Sequence, residues 1–565
     1  MSKSIYIFII VFLYSTLNIS ASEKQEVSDI SKYKQFGLVW GLLKYHHSEV
    51  SNGKYDWDQV FIENIDLLGA IKTQKDLNTF LFNFISSLKE SKIKRASEKE
   101  GLLKNNYDYK WINSYPFDES LTKKLEALRD NTNINDFYVS TGRLSNIPTF
   151  KNEKGVKEFD YKIKSHRLLL LFSFWSCIQY HYVNKYLMDD NWYELLDGYI
   201  ENFIYDHSKL EFEILKSTLI ASLDDSHAYY VSPVVNDSLF KYKPSFGVRN
   251  VNDTLVITAL YNKKQAARDG IELGDQILEI ENDDIKTSLA KKIKPILSTS
   301  NNVFLKKWTR WLFFNPSDSI KVKIKKKNKT IKTQYLHLYE NFEVEDYVSL
   351  KSTSGIENKW QFIKPDIGYI SLASITKKEL DNAFKEFSTT KGIIIDLRNY
   401  PKTISEDDIT KHIYPERRRF IKVLFPIQDR PSMVQFDEAP LNFIKDPFMS
   451  GSRNSDYYKG EIILLVNHTT QSKAEYIGMA IQASPNCTTI GESTAGSVMN
   501  IATFTMPDQT NVNFTSLGAF YPDGTGAQRN GLKIDYQVHE STSDFIKDQY
   551  IVKGIELIES EKNPN

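Results

Sequence analysis

Ile462-Ile-Leu-Leu-Val-Asn467-His-Thr-Thr-Gln-Ser472-Lys-Ala-Glu475 is the stretch that decides the fold. Its first half is an unbroken apolar run, the pattern of a strand buried on both faces of a parallel sheet. A turn rich in hydroxyls then leads into a helix over Ala474–Ala483. A serine at that junction sits at the carboxyl edge of the sheet, where open α/β sheets place their ligands. The helix N-terminus brings free N–H groups that can hold a developing oxyanion. Serine and threonine also cap helices in ordinary proteins, so spacing alone leaves Ser472 either a cap or a nucleophile.

Working outward, Ile367–Leu372, Gly392–Arg398 and Cys487–Ile490 read as further strands and Lys378–Phe387 as a helix, which makes 345–560 an α/β domain. Upstream the texture changes to short alternating runs. Thr254–Leu260 predicts a strand, and Ala266–Ile280 a short helix, a glycine turn and a second strand. Ser319–Ile324 and Ile331–Leu338 predict a closing hairpin, with an amphipathic stretch over Leu289–Phe314 between. The chain before about residue 236 reads as helical. Apolar residues at helical spacing occur in Phe36–Tyr45, Leu168–Gln179 and Trp192–Ile204, and a helix over Glu211–Leu223 stops at Asp224-Asp225-Ser226-His227. No repeat of 20–50 residues is evident. The sequence therefore predicts a multidomain α/β protein, as 565 residues exceed what one core can hold.

Lys+Arg and Asp+Glu balance at 72 each, which argues against a broad phosphate-binding surface and hence against a nucleic-acid partner. The lysine-rich run Lys321–Thr330 alternates with apolar residues and reads as a solvated strand and hairpin tip. At the start, Met1-Ser-Lys-Ser precedes the apolar run Ile5–Tyr14 and the small residues Ser20-Ala21-Ser22. That order is a secretory signal peptide over 1–22, so the mature chain is expected in the periplasm with no stable membrane span. Cys177 and Cys487 stand far apart in apolar surroundings and are expected as buried free thiols. No Cys/His cluster has metal-ligand spacing, so neither metal nor cofactor is expected.

Four pieces in order resemble the C-terminal-processing (tail-specific) protease and tricorn-core family of serine peptidases. They are Asp269-Gly-Ile-Glu-Leu-Gly-Asp-Gln-Ile-Leu-Glu-Ile280, Ile393-Ile-Ile-Asp-Leu-Arg-Asn-Tyr400, the Ser472–Glu475 segment with Ile490-Gly-Glu-Ser-Thr-Ala-Gly496, and Tyr521-Pro-Asp-Gly-Thr-Gly-Ala-Gln-Arg-Asn-Gly-Leu-Lys-Ile-Asp535. The resemblance implies an N-terminal helical domain over 23–236, a PDZ-like β-rich domain over 240–340 and a crotonase/ClpP-like peptidase core over 345–560. It also implies that Ser472 is the nucleophile, and that the substrate is a polypeptide or a C-terminal tail.

A serine hydroxyl needs a base. Bacterial tail-specific members use a lysine shortly after the Gly-x-x-Thr-x-Gly turn, and Ser497 occupies that position here. Tricorn-type members use a histidine after a serine in the segment before the PDZ domain, and Ser226-His227 matches it. The resemblance thus makes His227 the base and Ser226 a polarising neighbour. Gln528 stands nearest the glutamate that orients the histidine in such enzymes, with Asp523 as the weaker candidate. The oxyanion donors would be the N–H of Lys473 and that of Tyr400 or Lys402, since Pro401 has none. Ser245, Phe246, Gly247 and Val248 stand where the family's peptide-carboxylate loop lies, although the same residues also read as an ordinary strand entry. A serine endopeptidase is the leading expectation. A catalytically impaired homologue that binds peptides is the alternative, favoured by the lost lysine, the lost glutamate and the glycine-free turn Asn399–Thr403; a non-peptidase hydrolase or small-ligand binder on the same scaffold is a third reading with no motif behind it.

Overall fold

The computed structural model describes residues 26–95, 101–142, 146–341, 343–350, 355–436, 446, 448–542, 544 and 546–560; the expected leader lies outside them. The chain forms two compact units. The first comprises residues up to Ser208 together with Phe425–Gln435 and Ala502–Ser516, and the second comprises Lys209–Leu424, Phe436–Ile501 and the chain from Leu517.

The first unit is helical, with α1 (Asp29–His46), α2 (Trp57–Leu68), α3 (Gln74–Ser87), α4 (Lys164–His181) and α5 (Trp192–Ile204) as its main elements. Helices α1 and α4 are buried on nearly every face, which is why their sequences show no single apolar stripe. Their order conceals a duplication. Shifting the first copy by one fixed offset superposes α1 on α4, α2 on α5 and α3 on α6 (Lys209–Ala221), and pairs Trp40 with Trp175, Tyr45 with Tyr180, His46 with His181 and Trp57 with Trp192. In both copies the two tryptophans, 17 positions apart, exchange hydrogen bonds. The Trp40 and Trp57 indole N–H groups donate to each other's carbonyl at 3.0 and 3.2 Å, and those of Trp175 and Trp192 do so at 3.0 and 3.1 Å.

Helices α1 and α4 meet residue against equivalent residue. A Cβ on Gly37 would lie 2.1 Å from the Phe172 ring, and one on Gly41 would lie 2.2 Å from the Ser176 hydroxyl, so only glycine permits this approach. The Tyr45 and Tyr180 rings lie 5.6 Å apart. Like packed on like is the signature of a local twofold axis.

The second unit begins with α6 and continues into a β-rich part. Strand β1 (Phe246–Val251) pairs with β2 (Thr254–Leu260), which runs against β3 (Gln276–Ile280), then β4 (Ser319–Lys325) and β5 (Ile331–His337), all antiparallel. The helix covers Lys263–Arg268, beginning three residues before the expected Ala266, while the Gly270 turn and the strand and hairpin tip of Lys321–Thr330 fall where the sequence puts them. The stretch Leu289–Phe314 does not form one amphipathic helix. It breaks into a π-turn over Leu289–Ile293 and a 3-10 helix over Phe304–Phe313. The interruption is Ser298-Thr-Ser-Asn-Asn302, short polar side chains that compete for backbone groups.

The remainder is a six-stranded sheet in the order β6 (Trp360–Lys364), β7 (Ile367–Ser371), β8 (Gly392–Asp396), β9 (Glu461–Val466), β10 (Cys487–Gly491) and β11 (Tyr536–Gln537). Pairing from β7 to β11 is parallel, and β6 is an antiparallel edge. Helix α7 (Lys473–Gln482) follows β9, and α8 (Gln549–Glu559) covers an apolar face built from Ile394, Ile463 and Ile490. The Arg398 guanidinium ties α8 down by pairing with Asp396 at 2.6 Å and with Asp548, the α8 cap, at 2.9 Å. Both cysteines are free; Cys177 is buried and Cys487 is only half-buried. Among the described residues no helix is long and apolar enough to cross a membrane.

Candidate active site

Ser472 stands between β9 and α7 with φ 57° and ψ −120°. That is a region L-residues seldom visit, and it costs on the order of 1–3 kcal/mol unless the surroundings enforce it. They do. The Ser472 amide donates to the Ser497 carbonyl (3.1 Å) and to the Glu475 carboxylate (3.1 Å). Glu475 is fully buried and also accepts from the Thr494 hydroxyl and from the amides of Gly496 (2.7 Å) and Ser497 (3.0 Å). Burial pushes its carboxyl up to about 7. The glutamate of the Ser-x-x-Glu motif thus binds the serine turn to the Gly491–Ser497 turn. Ser497, where a lysine base would stand, is fully buried and engaged in the same web.

The histidine arrives from the other side. After α6 the chain turns through Asp224, at φ 49°, and buries Asp225 and Ser226 completely. The Ser226 hydroxyl donates to the Ala495 carbonyl (3.2 Å), and Gln471, next to Ser472, donates its side-chain amide to the Ser226 carbonyl (3.2 Å) and to the Ser497 hydroxyl (3.3 Å). The segment bearing His227 is therefore joined by hydrogen bonds to the turn bearing Ser472. His227 keeps 11 % of its side-chain surface exposed. Burial lowers its pKa from the usual 6.5, while the Asp225 charge pulls it back up and Lys307 lowers it further.

Asp225 is the residue that sequence reasoning overlooked. Its carboxylate accepts the His227 amide at 3.0 Å and lies 3.9 Å from His227 Nδ1. The signal was present in the run Asp224-Asp225-Ser226-His227. Gln528 is buried. Asp523 is exposed, is paired with Lys533 at 2.6 Å, and lines a cavity of about 350 Å³ with Gln482, at the opposite end of α7 from Ser472.

On the proposed oxyanion side, the hydroxyls of Thr469 and Thr470 donate to the carbonyls of Arg398 and Leu397. This fastens the start of the Asn399–Thr403 turn to the serine turn. The Lys402 amide donates to the Ala373 carbonyl (3.4 Å), and Tyr400 is half exposed. Lys473 is the first residue of α7, where helix N–H groups lack intrahelical acceptors.

Ser245 is buried and its carbonyl accepts from Tyr261 (2.8 Å), while Phe246, Gly247 and Val248 already belong to β1. Among the described residues only β2 pairs with β1, so its other edge is open. The Phe246 ring packs edge-on against Phe313 of the 3-10 helix, with centroids 5.2 Å apart. Among the described residues no group of three His, Cys, Asp or Glu side chains is placed to hold a metal.

Ser472 thus stands in a strained strand–turn–helix on an α/β sheet, joined by hydrogen bonds to the segment Asp225-Ser226-His227. The model of peptidase family S41 matches residues 366–538. No curated protein matches the sequence. Among solved structures, mature CPAF is similar over 70% of this chain and 97% of its own at 12% identity and TM-score 0.52, and mature CPAF complexed with lactacystin over 69% and 96% at 12% identity and TM-score 0.51. The photosystem II D1 C-terminal processing protease is more distant, at 16% identity over 67% and 96% with TM-score 0.36. At such identities the CPAF likeness speaks for the fold.

Proposed function

We propose that the protein is an exported, periplasmic serine endopeptidase of the tail-specific or tricorn-like type, with Ser472 as nucleophile and His227 as base. The observation that carries this reading is the strained Ser472 at the mouth of α7, bonded through Gln471 to the residue before His227. In acylation the Ser472 hydroxyl oxygen bonds to the peptide carbonyl carbon as its proton passes to His227. The N–H groups of Lys473 and Tyr400 hold the oxyanion. Collapse breaks the C–N bond, the imidazolium returns the proton to the leaving amine, and water then repeats the sequence on the acyl-enzyme. Ser226 polarises the site, Gln528 holds the imidazole and Asp225 steadies the imidazolium. The β-rich part acts as a PDZ-like module. A polypeptide tail adds along the open edge of β1, with Ser245, Phe246, Gly247 and Val248 at the end that receives its carboxylate.

The test is labelling of the mature protein with a fluorophosphonate probe beside Ser472→Ala and His227→Ala. Wild type labels, Ser472→Ala does not, and His227→Ala labels at least about a hundredfold more slowly, the lower end of what a general base contributes. Full labelling of His227→Ala would place the base elsewhere. A second reading, a peptide-binding homologue without turnover, is favoured by the glycine-free turn Asn399–Thr403 and by Ser497 in the place of lysine. Folded wild type that binds peptides but never labels would establish it.

A further inference from the structure

The interruption that breaks the amphipathic stretch 289–314 grips the candidate active site from the β-rich part. The Ser298 hydroxyl accepts the Asp225 amide at 2.9 Å. Ser300 and Ser226 exchange a reciprocal pair, the Ser226 amide to the Ser300 hydroxyl at 2.8 Å and the Ser300 amide to the Ser226 hydroxyl at 2.9 Å, with both residues fully buried. The Ser300 carbonyl accepts from the Arg529 guanidinium at 2.9 Å. The Asn301 side-chain amide donates to the Thr494 carbonyl at 2.9 Å and to the Arg529 carbonyl at 3.0 Å. Its oxygen accepts the Phe304 amide at 3.0 Å and so caps the 3-10 helix.

Three chain segments have to be held together for the chemistry proposed above: the His227 segment, the Thr494–Ser497 turn behind Ser472, and the Gln528–Arg529 turn. Segment 298–301 bonds to all three, and Asn301 alone bridges two of them. Arg529 is itself at φ 66°, and its amide donates to the Gly496 carbonyl at 2.8 Å. A Cβ on Gly496 would approach the Arg529 backbone to 2.7 Å, so these two turns are already in close register.

We infer that Asn301, with Ser300, is a positioning residue for the reaction, and that the β-rich part is a structural component of the catalytic site as well as the port that receives peptide. This rests on the Ser472–His227 reading. It predicts that substrates too short to reach the edge of β1 also depend on segment 298–301.

Asn301→Asp is the discriminating change. It keeps an oxygen to cap Phe304 but turns a carboxylate toward the carbonyls of Thr494 and Arg529. Misplacing reacting groups by about 1 Å costs on the order of a hundredfold. The expected result is a fall of that size in kcat on a short fluorogenic peptide and in the fluorophosphonate labelling rate, with KM changed less than about threefold. Hydrogen exchange in the folded variant should show lost protection across 225–227 and 494–497. Ser300→Ala, which removes only the acceptor for Ser226, should show the same pattern more weakly, and it serves if Asn301→Asp does not fold. Wild-type kcat and wild-type protection in the folded variant would overturn the inference. A wild type that never labels, combined with lost protection in Asn301→Asp, would overturn the Ser–His reading and leave the coupling of the three segments standing.

Discussion

His227 carries a pH dependence that can be worked out from its surroundings. Burial, the largest influence, holds its pKa below the usual 6.5, with Asp225 opposing. A general base acts when neutral, so kcat/KM should stay level through neutrality and fall on the acid side only below about 6.5. Because the folded pKa is depressed, the stability that His227 contributes is present above the unfolded value and is lost as pH falls through the folded one. Glu475, pushed up to about 7, also titrates near neutrality. Asp225→Asn should shift the acid limb that belongs to His227 to lower pH, since it deletes the charge that favours the imidazolium. A limb that Asp225→Asn leaves in place would assign it to another group. At this scale the candidates Ser472 and His227 are legible in the sequence, because a strand–turn–helix serine and a Ser-His pair are local patterns. It does not disclose Asp225 as the neighbour of the imidazole, because that depends on how the chain folds back after Asp224. Nor does it show that the Lys402 amide is taken by Ala373.

Elements tell a different story. Buried strands and the β-hairpin were legible, because an unbroken apolar run and strict alternation are strong signals. The duplication in the helical segment was not. Its two copies share a few tryptophans, tyrosines and histidines at an offset far longer than a solenoid period, and their central helices show no single apolar stripe. The pattern becomes visible only when helix boundaries are laid side by side. It also gives the His227 segment an origin, since Leu223-Asp-Asp-Ser226-His227 is the second-copy counterpart of Leu88-Lys-Glu-Ser91-Lys92. In the first copy the Ser48 hydroxyl accepts the Lys92 amide at 3.0 Å, so a comparable exit is closed by a hydroxyl from within its own copy. The equivalence makes a stability prediction. Trp57→Phe and Trp192→Phe each delete one indole-to-carbonyl hydrogen bond from the same place in a copy. Each should cost about 1–2 kcal/mol, and urea midpoints should place the two within about 1 kcal/mol of each other. A cost confined to one site would mean that the copies no longer share an architecture.

At the scale of the molecule, the order of the chain and the order of the packing differ. The helical unit is completed by two segments from far downstream, Phe425–Gln435 and Ala502–Ser516, and linear sequence reading has no means of foreseeing such an exchange. The borrowed segments do real structural duty. The Ser432 amide and hydroxyl donate to the carbonyls of Tyr180 and Gln179 at 2.8 and 3.0 Å, where α4 ends. The Tyr109 hydroxyl donates to the Pro431 carbonyl at 3.2 Å. Phe504 and Phe514 pack on Phe150 at 5.5 and 6.0 Å, and Phe514 also packs on Tyr182 at 5.7 Å. Covering two phenylalanines is worth roughly 3–6 kcal/mol, and each hydrogen bond adds about 1 kcal/mol. That sum is comparable with the whole stability of an ordinary domain, about 5–15 kcal/mol. A fragment ending at Ser208 should therefore keep much of its helix by far-ultraviolet circular dichroism yet melt broadly, at a lower temperature than the full chain, and bind a hydrophobic dye. Supplying Phe425–Gln435 and Ala502–Ser516 through short linkers should restore a sharp transition. A fragment that melts cooperatively at the full-chain midpoint would show that the borrowed segments decorate the helical unit rather than complete it.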